Sequence, residues 1–438
     1  MKKHIIWFLW ILCLAFTGCS ARPSAEKEIK TLTLAVFESE SQLRASYLLQ
    51  WVDLYNENHS DVKIEIVNYL DDYLDLDEAI NQIKIEINAG KGPDMIDFGR
   101  QYSPIDASCG MLADLYLLMQ NDESFDKRDF YNNILEAFEV GDSLYVLVPS
   151  YRIDSFATTN NELAGLERMN IQQLVDAYNM LDEECILFPG ETKKTVFGML
   201  CYGSLENYID WDAGTCNFDS ESFKEILQFA NQFPLHLNIS DDYSVKKIFT
   251  EGRALLYPAS IDNVYGTTSI KMLYGETPTY IGYPFDSGCG SMAAIHNIAI
   301  GISSTSKNKE EAWGFIKSLL DSEFQDNIEN GLPLRVNSLE KELEDAMRTE
   351  YDANGEKVVK EVLRFEGEEP VNIYEISAED AETLKFIISN IEFNATVDYN
   401  LYNIILEEAD YLFHDDRNVG DVARVIQNRA SVYISEKK

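Results

Sequence analysis

Thr31-Leu32-Thr33-Leu34-Ala35-Val36-Phe37, Val62-Lys63-Ile64-Glu65-Ile66 and Met95-Ile96-Asp97-Phe98 read as three short strands, and what separates them decides the fold. In the first, Leu32, Leu34 and Val36 share one face of an alternating pattern. Leu43, Tyr47, Trp51 and Tyr55 then recur every four residues within Gln42–Asn58, which predicts an amphipathic helix. Ile80, Ile83 and Ile87 mark a second helix, broken by Gly90-Lys91-Gly92-Pro93-Asp94. Parallel strands need helical crossovers, so this βαβαβ order predicts a doubly wound parallel sheet. Ligands of such sheets sit beyond the carboxyl ends of the strands. Those ends are Glu38-Ser39-Glu40, Asn68-Tyr69 and Gly99-Arg100-Gln101-Tyr102, whose polar and aromatic groups suit a hydroxyl-rich ligand.

Downstream, Leu144–Val148 reads as a strand, followed by Pro149-Ser150-Tyr151-Arg152 and a strand-like Ser155–Thr159. A strand running through a proline bend suggests a crossing between two bodies. A second α/β body follows. One helical face carries Ile171, Leu174, Val175 and Tyr178, and another Phe223, Ile226, Leu227 and Ala230, capped by Asp219 or Ser220. Trp211-Asp212-Ala213-Gly214 reads as a turn. Phe249–Tyr257 reads as a helix end, a Gly252 stop and a strand. Ile281-Gly282-Tyr283-Pro284 closes another strand, and Ile295–Ile300 is read as one more. Asp286-Ser287-Gly288-Cys289-Gly290 has only two glycines of a dinucleotide fingerprint, and no helix start follows it. Asn308 with Glu311 is placed to cap the helix of Trp313, Ile316 and Leu320. From Asn337 the pattern is mostly helical, with Leu401, Ile404, Ile405 and Leu412 on one face and a last helix opened by Asp421.

Upstream, Lys2 and Lys3 precede an apolar run, Ile5–Phe16, and then Thr17-Gly18-Cys19. A basic head, a short hydrophobic core and small residues make a secretory signal. The run is shorter than the ~20 apolar residues of a membrane span. Phe16-Thr17-Gly18-Cys19 resembles a bacterial lipobox, with phenylalanine where leucine is usual. That likeness implies acylation of Cys19 (palmitate among the chains) and a mature protein held by lipid on the outer face of the cell membrane. Two or more acyl chains anchor stably, at roughly 0.8 kcal/mol per buried CH₂. Residues 1–18 are then the signal and 19–27 a tether.

The chain has 438 residues, with 36 basic against 75 acidic side chains. The size suits two or three domains of ~150 residues. So acidic a body repels phosphate backbones and anionic lipid, which argues against nucleic acid as a partner. Beyond Cys13 and Cys19 there are five cysteines, Cys109, Cys185, Cys201, Cys216 and Cys289. An odd count without C-x-x-C gives no disulfide framework and no zinc site; Cys201 and Cys216 are the nearest pair. His59, His236, His296 and His414 have no ligand spacing. Asp71–Glu78 is acid-rich but lacks the glycine of a calcium loop. No metal and no cofactor is expected.

Four stretches carry a family likeness. They are Ala89–Ile96, with its glycine-proline-aspartate turn; Phe249–Leu256, an F-x-x-G-x-A pattern; Ile300–Ile316 with Gly331-Leu332-Pro333-Leu334; and Val422–Arg429. In order, and with the lipobox, they make the chain resemble the substrate-binding lipoproteins of ABC sugar importers, the group that includes maltose-binding protein. The resemblance implies a two-lobed α/β fold of the periplasmic-binding-protein type (type II), each lobe a mainly parallel doubly wound sheet, with a helical C-terminal region. The lobes would be discontinuous: 28–148 with 291–336, against 149–290 with 337–438. It also implies hinge closure on ligand and docking to a membrane permease.

The matching motifs are scaffold, so candidate contacts come from the strand-end rule and the crossing: Glu38, Arg100, Tyr102, Tyr151, Trp211, Tyr257 and Asp286. Trp211 and Tyr257 offer stacking faces. Glu38, Arg100 and Asp286 offer charge-assisted hydrogen bonds to hydroxyls. Phe393 and Tyr399 are alternative aromatics for the cleft, and His414-Asp415-Asp416-Arg417 replaces an expected glycine-containing turn. The expected activity is binding, by a monomer, of a carbohydrate, an oligosaccharide first, for delivery to an ABC permease. A non-sugar solute, or signalling through a membrane sensor, stays open. G-x-S-x-G, H-E-x-x-H and P-loop motifs are absent, so an enzyme is not expected.

Overall fold

The computed structural model describes residues 29–39, 46–73, 75–104, 110–166, 169–211, 213–237, 244–284, 290–365 and 369–437. The signal, Cys19, Leu43, Cys109, Asp286 and Cys289 lie outside them.

The first sheet is local in origin. Lys30–Val36 pairs in parallel with Val62–Asn68 over seven residues, and with Met95–Asp97 on its other side. Leu32 and Leu34 are fully buried, each burial contributing roughly 1.5–3 kcal/mol. The crossovers are the helices Tyr47–Asn58 and Leu76–Asn88, the second capped by Asp75, whose carboxylate accepts from the Glu78 N–H at 2.9 Å. Ile300–Ile302 completes the sheet from far along the chain, antiparallel to Met95–Asp97. Asp94 is the clamp here. Its carboxylate accepts from the Thr33 N–H at 3.0 Å, Ser306 Oγ at 2.6 Å and Asn308 Nδ2 at 3.1 Å. This corrects the expected cap. Asn308 precedes the helix Lys309–Ser318 but makes no side-chain cap bond, because its amide is drawn to Asp94.

The second sheet is gathered around one strand, Ser150–Thr158. Tyr257–Ile261, Thr279–Tyr280, Met292–Ile295 and Leu332–Pro333 all pair with it antiparallel. Phe393–Asn394 adds to Met292–Ala293 in parallel. The two-lobed α/β fold is therefore present, but the expectation of mainly parallel pairing holds only for the first sheet. Odd residues of the central strand, Tyr151, Ile153 and Ala157, join the core that continues into the first lobe. Phe156 faces a second core built by the helices Lys193–Ser204, Glu221–Ala230, Tyr399–Phe413 and Val419–Lys437. Period two on a sheet buried on both faces explains the split.

Several expectations are corrected. Leu144–Val148 is not a strand; Leu147 alone bridges to Ile300, and the strand begins past Pro149. Ile295–Ile300 is not one strand, because Met292–Ile295 belongs to the second sheet and Ile300–Ile302 to the first. The strand ahead of Gly282 is only Thr279–Tyr280. The helical C-terminal region contains a hairpin, Glu361–Leu363 with Val371–Ile373. Cys201 is buried and free, and the Cys216 thiol meets Ser431 Oγ at 3.4 Å instead. Asp415 takes the left-handed conformation, φ 60°, that a glycine was expected to supply.

Candidate functional site

The chain passes between sheets in two antiparallel segments, 148–150 and 296–299. Tyr151 pairs with Ile295 in the second sheet, while Leu147 bridges Ile300 in the first. Gly331 closes this crossing. Its φ of +95° strains any other residue, and a Cβ there would lie 3.1 Å from His296 Cγ and Ser150 Cβ, so the position favours glycine.

The carboxyl ends of the first sheet's parallel strands lie beside the crossing. Asp97 is 5% exposed and its Oδ1 accepts from the Gly99 N–H at 3.0 Å and the Ala299 N–H at 2.9 Å, tying strand end to crossing. Burial pushes its pKa up to about 7 against those two bonds, and nearby Glu38 adds to the rise. Glu38 is half-buried; burial raises its carboxyl, and its Oε2 has no hydrogen-bond partner among the described residues. Arg100 is exposed on the turn Gly99–Gln101, and its Nε donates to the His296 carbonyl. A row of rings, Tyr69, Phe37, Phe98 and Tyr102, with centroids 5.9–6.3 Å apart, underlies these ends and fixes Tyr102.

Tyr102 and Trp211 meet at one cavity of about 380 Å³. Phe138, Glu139, Gly141, Asp210 and Asn394 line it with them. Trp211 is set by a hairpin, Ile209–Asp210 with Thr215–Cys216. Its turn is held by the Ala213 N–H donating to Asp210 Oδ1 at 2.7 Å, with Gly214 at φ +67°. Polar bonds cross the seam. Ser103 Oγ donates to Asp398 Oδ2 at 3.0 Å, Asn394 Nδ2 to the Ala137 carbonyl at 2.6 Å, and Asn400 Nδ2 to Asp77 at 2.9 Å.

Tyr151 and Tyr257 are elsewhere. Tyr151 is fully buried in the central strand. Tyr257 packs edge-on against Phe249, centroids 5.4 Å apart, on the same face of the second sheet as Tyr151. The structure thus brings Tyr102 to Trp211, places Glu38 and Arg100 at the strand ends as expected, and gives Tyr151 and Tyr257 packing roles. Sequence reasoning missed Phe138, Glu139, Asp210 and Asn394. The polar turn Glu139-Val140-Gly141-Asp142 just before the crossing was the available signal. Asn394 had one only through its neighbour Phe393.

A polar cluster sits on the second-lobe side of the crossing. Arg152 pairs with Asp154 through Nε and a terminal nitrogen, both at 3.0 Å; Tyr202 Oη donates to Asp154 Oδ2 at 2.9 Å, and Ser260 Oγ to Oδ1 at 3.0 Å. Burial pulls the Arg152 pKa down, but the Asp154 carboxylate more than reverses this. Burial first, and then the Asp154 charge, raise the Tyr202 pKa; Tyr399, half exposed at the start of its helix, adds a little to the rise.

Among the described residues, no group of three or more His, Cys, Asp or Glu could hold a metal ion, and no helix is long and apolar enough to cross a membrane.

Residues 39–326 match the sequence profile of the bacterial extracellular solute-binding proteins. No curated protein sequence matches the chain. Solved structures share the fold at low identity. An ABC transporter solute-binding protein from Thermotoga lettingae, bound with alpha-D-tagatose, is 15% identical with a TM-score of 0.50, over 92% of this chain and 100% of that one. An ABC substrate-binding protein from Listeria monocytogenes, in complex with cycloalternan, is 13% identical at 0.52, over 93% and 100%. The sugar-binding protein MalE from Xanthomonas citri is 13% identical at 0.53, over 93% and 98%. The profile covers well over half of the chain, and the chain belongs to the bacterial extracellular solute-binding protein family.

Proposed function

We propose that this extracellular solute-binding protein captures a carbohydrate, an oligosaccharide in the first place, between its lobes and delivers it to the membrane permease of an ABC importer. The observation that carries the reading is the shared cavity of Tyr102 and Trp211, one ring from each lobe, edged by Glu139, Asp210 and Asn394. Aromatic faces take the apolar face of a sugar ring, and carboxylates and amides take its hydroxyls. A cavity of this size falls within the usual range for small-molecule sites, roughly 300–1,000 Å³. The fold neighbours with tagatose and cycloalternan support a sugar. Glu38 and Arg100, at the strand ends, are the proposed polar contacts deeper in the cleft, and Asp286, outside the described residues, is kept as a candidate from the sequence alone. The lobes, 28–148 with 291–336 and 149–290 with 337–438, would turn on segments 148–150 and 296–299. The protein would act as a monomer, tethered through acylated Cys19.

A cationic solute such as a polyamine is the second reading. Glu38 has an unpartnered buried oxygen and stands close enough to Asp97 to raise its pKa, a strain that a cation relieves.

The test is a thermal-shift screen against oligosaccharides, with polyamines and peptides as controls. A ligand at a hundred times its Kd stabilises by ~2.7 kcal/mol. A shift with one glycan class, lost in Trp211→Ala, supports the sugar reading. A shift with polyamine alone overturns it in favour of the cation.

A further inference from the structure

The geometry points to a closure latch across the seam between the lobes, built from Asp77 of the first lobe with Asn400 and Lys437 of the second. The Asp77 carboxylate accepts from Asn400 Nδ2 through both oxygens, at 3.0 and 2.9 Å, and from Lys437 Nζ at 3.2 Å. Behind it lies an inner rung, in which Asp398 accepts from Ser103 Oγ at 3.0 Å and from Tyr433 Oη at 2.9 Å.

Local structure explains why these groups arrive together. Asp398 is the N-cap of the helix Tyr399–Phe413, its carboxylate accepting from the Leu401 N–H at 2.9 Å, so Asn400 sits in that helix's first turn. Tyr433 and Lys437 are four apart on the last helix and therefore share a face. The Lys437 ammonium lies 5.5 Å over the Tyr433 ring. Two helix ends thus aim three polar groups, Asn400, Lys437 and Asp398, at the first turn of Leu76–Asn88 and at the segment following Met95–Asp97, with Tyr433 holding Asp398 from behind.

The bonds divide by state. A rotation about the crossing segments breaks Asp77–Asn400, Asp77–Lys437 and Ser103–Asp398, which join the lobes. It leaves Asp398–Tyr433 and the Asp398 cap intact, since both lie within the second lobe. The latch bonds exist only when the lobes are closed, and none of them needs a ligand. They therefore set how often the empty protein closes, and any solute inherits that bias as part of its apparent affinity. The Asp77 side chain is 48% exposed, whereas Ser103 and Asp398 are buried, so salt weakens the Asp77–Lys437 contribution more than the inner rung.

The test uses the protein without added solute, so it is independent of what the cleft binds. Hydrogen–deuterium exchange is followed in the seam segments 76–80, 102–104 and 394–401, and in the buried strand 30–36 as reference. In Asp77→Ala, seam exchange is expected to rise by about tenfold, as loss of hydrogen bonds to a charged group implies, with the strand unchanged. Lys437→Met gives a smaller rise, and adding it to Asp77→Ala changes little, because both remove the same contact. Asp126→Ala, an exposed carboxylate paired with Arg128 away from the seam, leaves seam exchange as it was. Unchanged seam exchange in both Asp77→Ala and Lys437→Met overturns the latch. So does an equal rise in the reference strand, which would mark general destabilisation.

Discussion

The two sheets reach similar burial by opposite routes. The first draws three of its four strands from one continuous stretch, 30–97, each joined to the next by a helix that covers the sheet. The second hangs on Ser150–Thr158, whose partners lie at 257–261, 279–280, 292–295 and 332–333. The core of the first is apolar around Leu32, Leu34 and Ile96. The second encloses the Arg152–Asp154–Tyr202–Ser260 cluster beside the crossing, where the chain must turn from one sheet to the other. A locally wound sheet is specified mainly by matched apolar faces, and the polar clamp at Asp94 serves chiefly to fasten the distant segment 303–308 to it. A sheet assembled from distant pieces also carries directional contacts that fix which pieces meet, and it carries the cost of breaking them.

The sharpest way to break this comparison is Asp154→Ala. It leaves the guanidinium of Arg152, 21% exposed, without its carboxylate. The expected loss in urea unfolding is ~3–5 kcal/mol. Arg152→Met with Asp154→Leu, which removes both charges, should recover most of it. Leu34→Ala in the first sheet should cost ~2–5 kcal/mol through its cavity, with no comparable rescue. A loss below ~1 kcal/mol for Asp154→Ala would mean that the cluster is incidental to assembly of the second sheet.

Next in size is a pH effect at the junction. The Asp97 carboxyl is raised to about 7 in the folded chain by burial, against an ordinary carboxylate value when unfolded. Between about pH 4 and 7 the folded state therefore binds more protons than the unfolded one, so this group's contribution to stability falls as pH rises through that window and is flat above it. Asp97→Asn keeps an oxygen for the Gly99 and Ala299 N–H groups and cannot ionise. It should match the wild type near pH 3.5, below the window, and be the more stable at pH 8, by a few kcal/mol at most. Melting curves at the two pH values decide this; a deficit of Asp97→Asn at pH 8 would show that the ionised carboxylate holds the crossing.

The smallest effect is expected on the outer strand of the first sheet. Lys63 and Glu65 pair at 3.0 Å with both side chains about half exposed. Solvent screens such a pair, and Lys63→Ala should change stability by less than ~0.5 kcal/mol. A larger loss would mean that even the exposed edge of the first sheet depends on a polar pair and would weaken the contrast.

The same contrast governs what was legible beforehand. Leu32, Leu34 and Val36 announce a strand, Ile80, Ile83 and Ile87 a helix, and Pro93-Asp94 the turn between. All lie within one window of local periodicity, and the sheet-end rule then placed Glu38, Arg100 and Tyr102 correctly at the strand ends. The second sheet gave no such window. Nothing near Ser150 states that Ile295 and Leu332 will lie beside Tyr151, so a residue read as a cleft contact is buried in the central strand. Tyr257 shows the same gap: its pattern gives a strand but not the face, and in the fold its ring packs against Phe249.

The sequence by itself determined the βαβαβ unit, the two-body organisation and the family scaffold, because periodicity, breakers and turn chemistry act over a few residues. Tertiary structure alone decided that the apparent strand Ile295–Ile300 is a passage between sheets. It alone decided that Asn308 serves Asp94 rather than its own helix, and that Tyr102, Trp211, Asn394 and Glu139 share one cavity. Those outcomes rest on pairings between residues tens to hundreds of positions apart, set by which buried polar groups and apolar faces can be satisfied together.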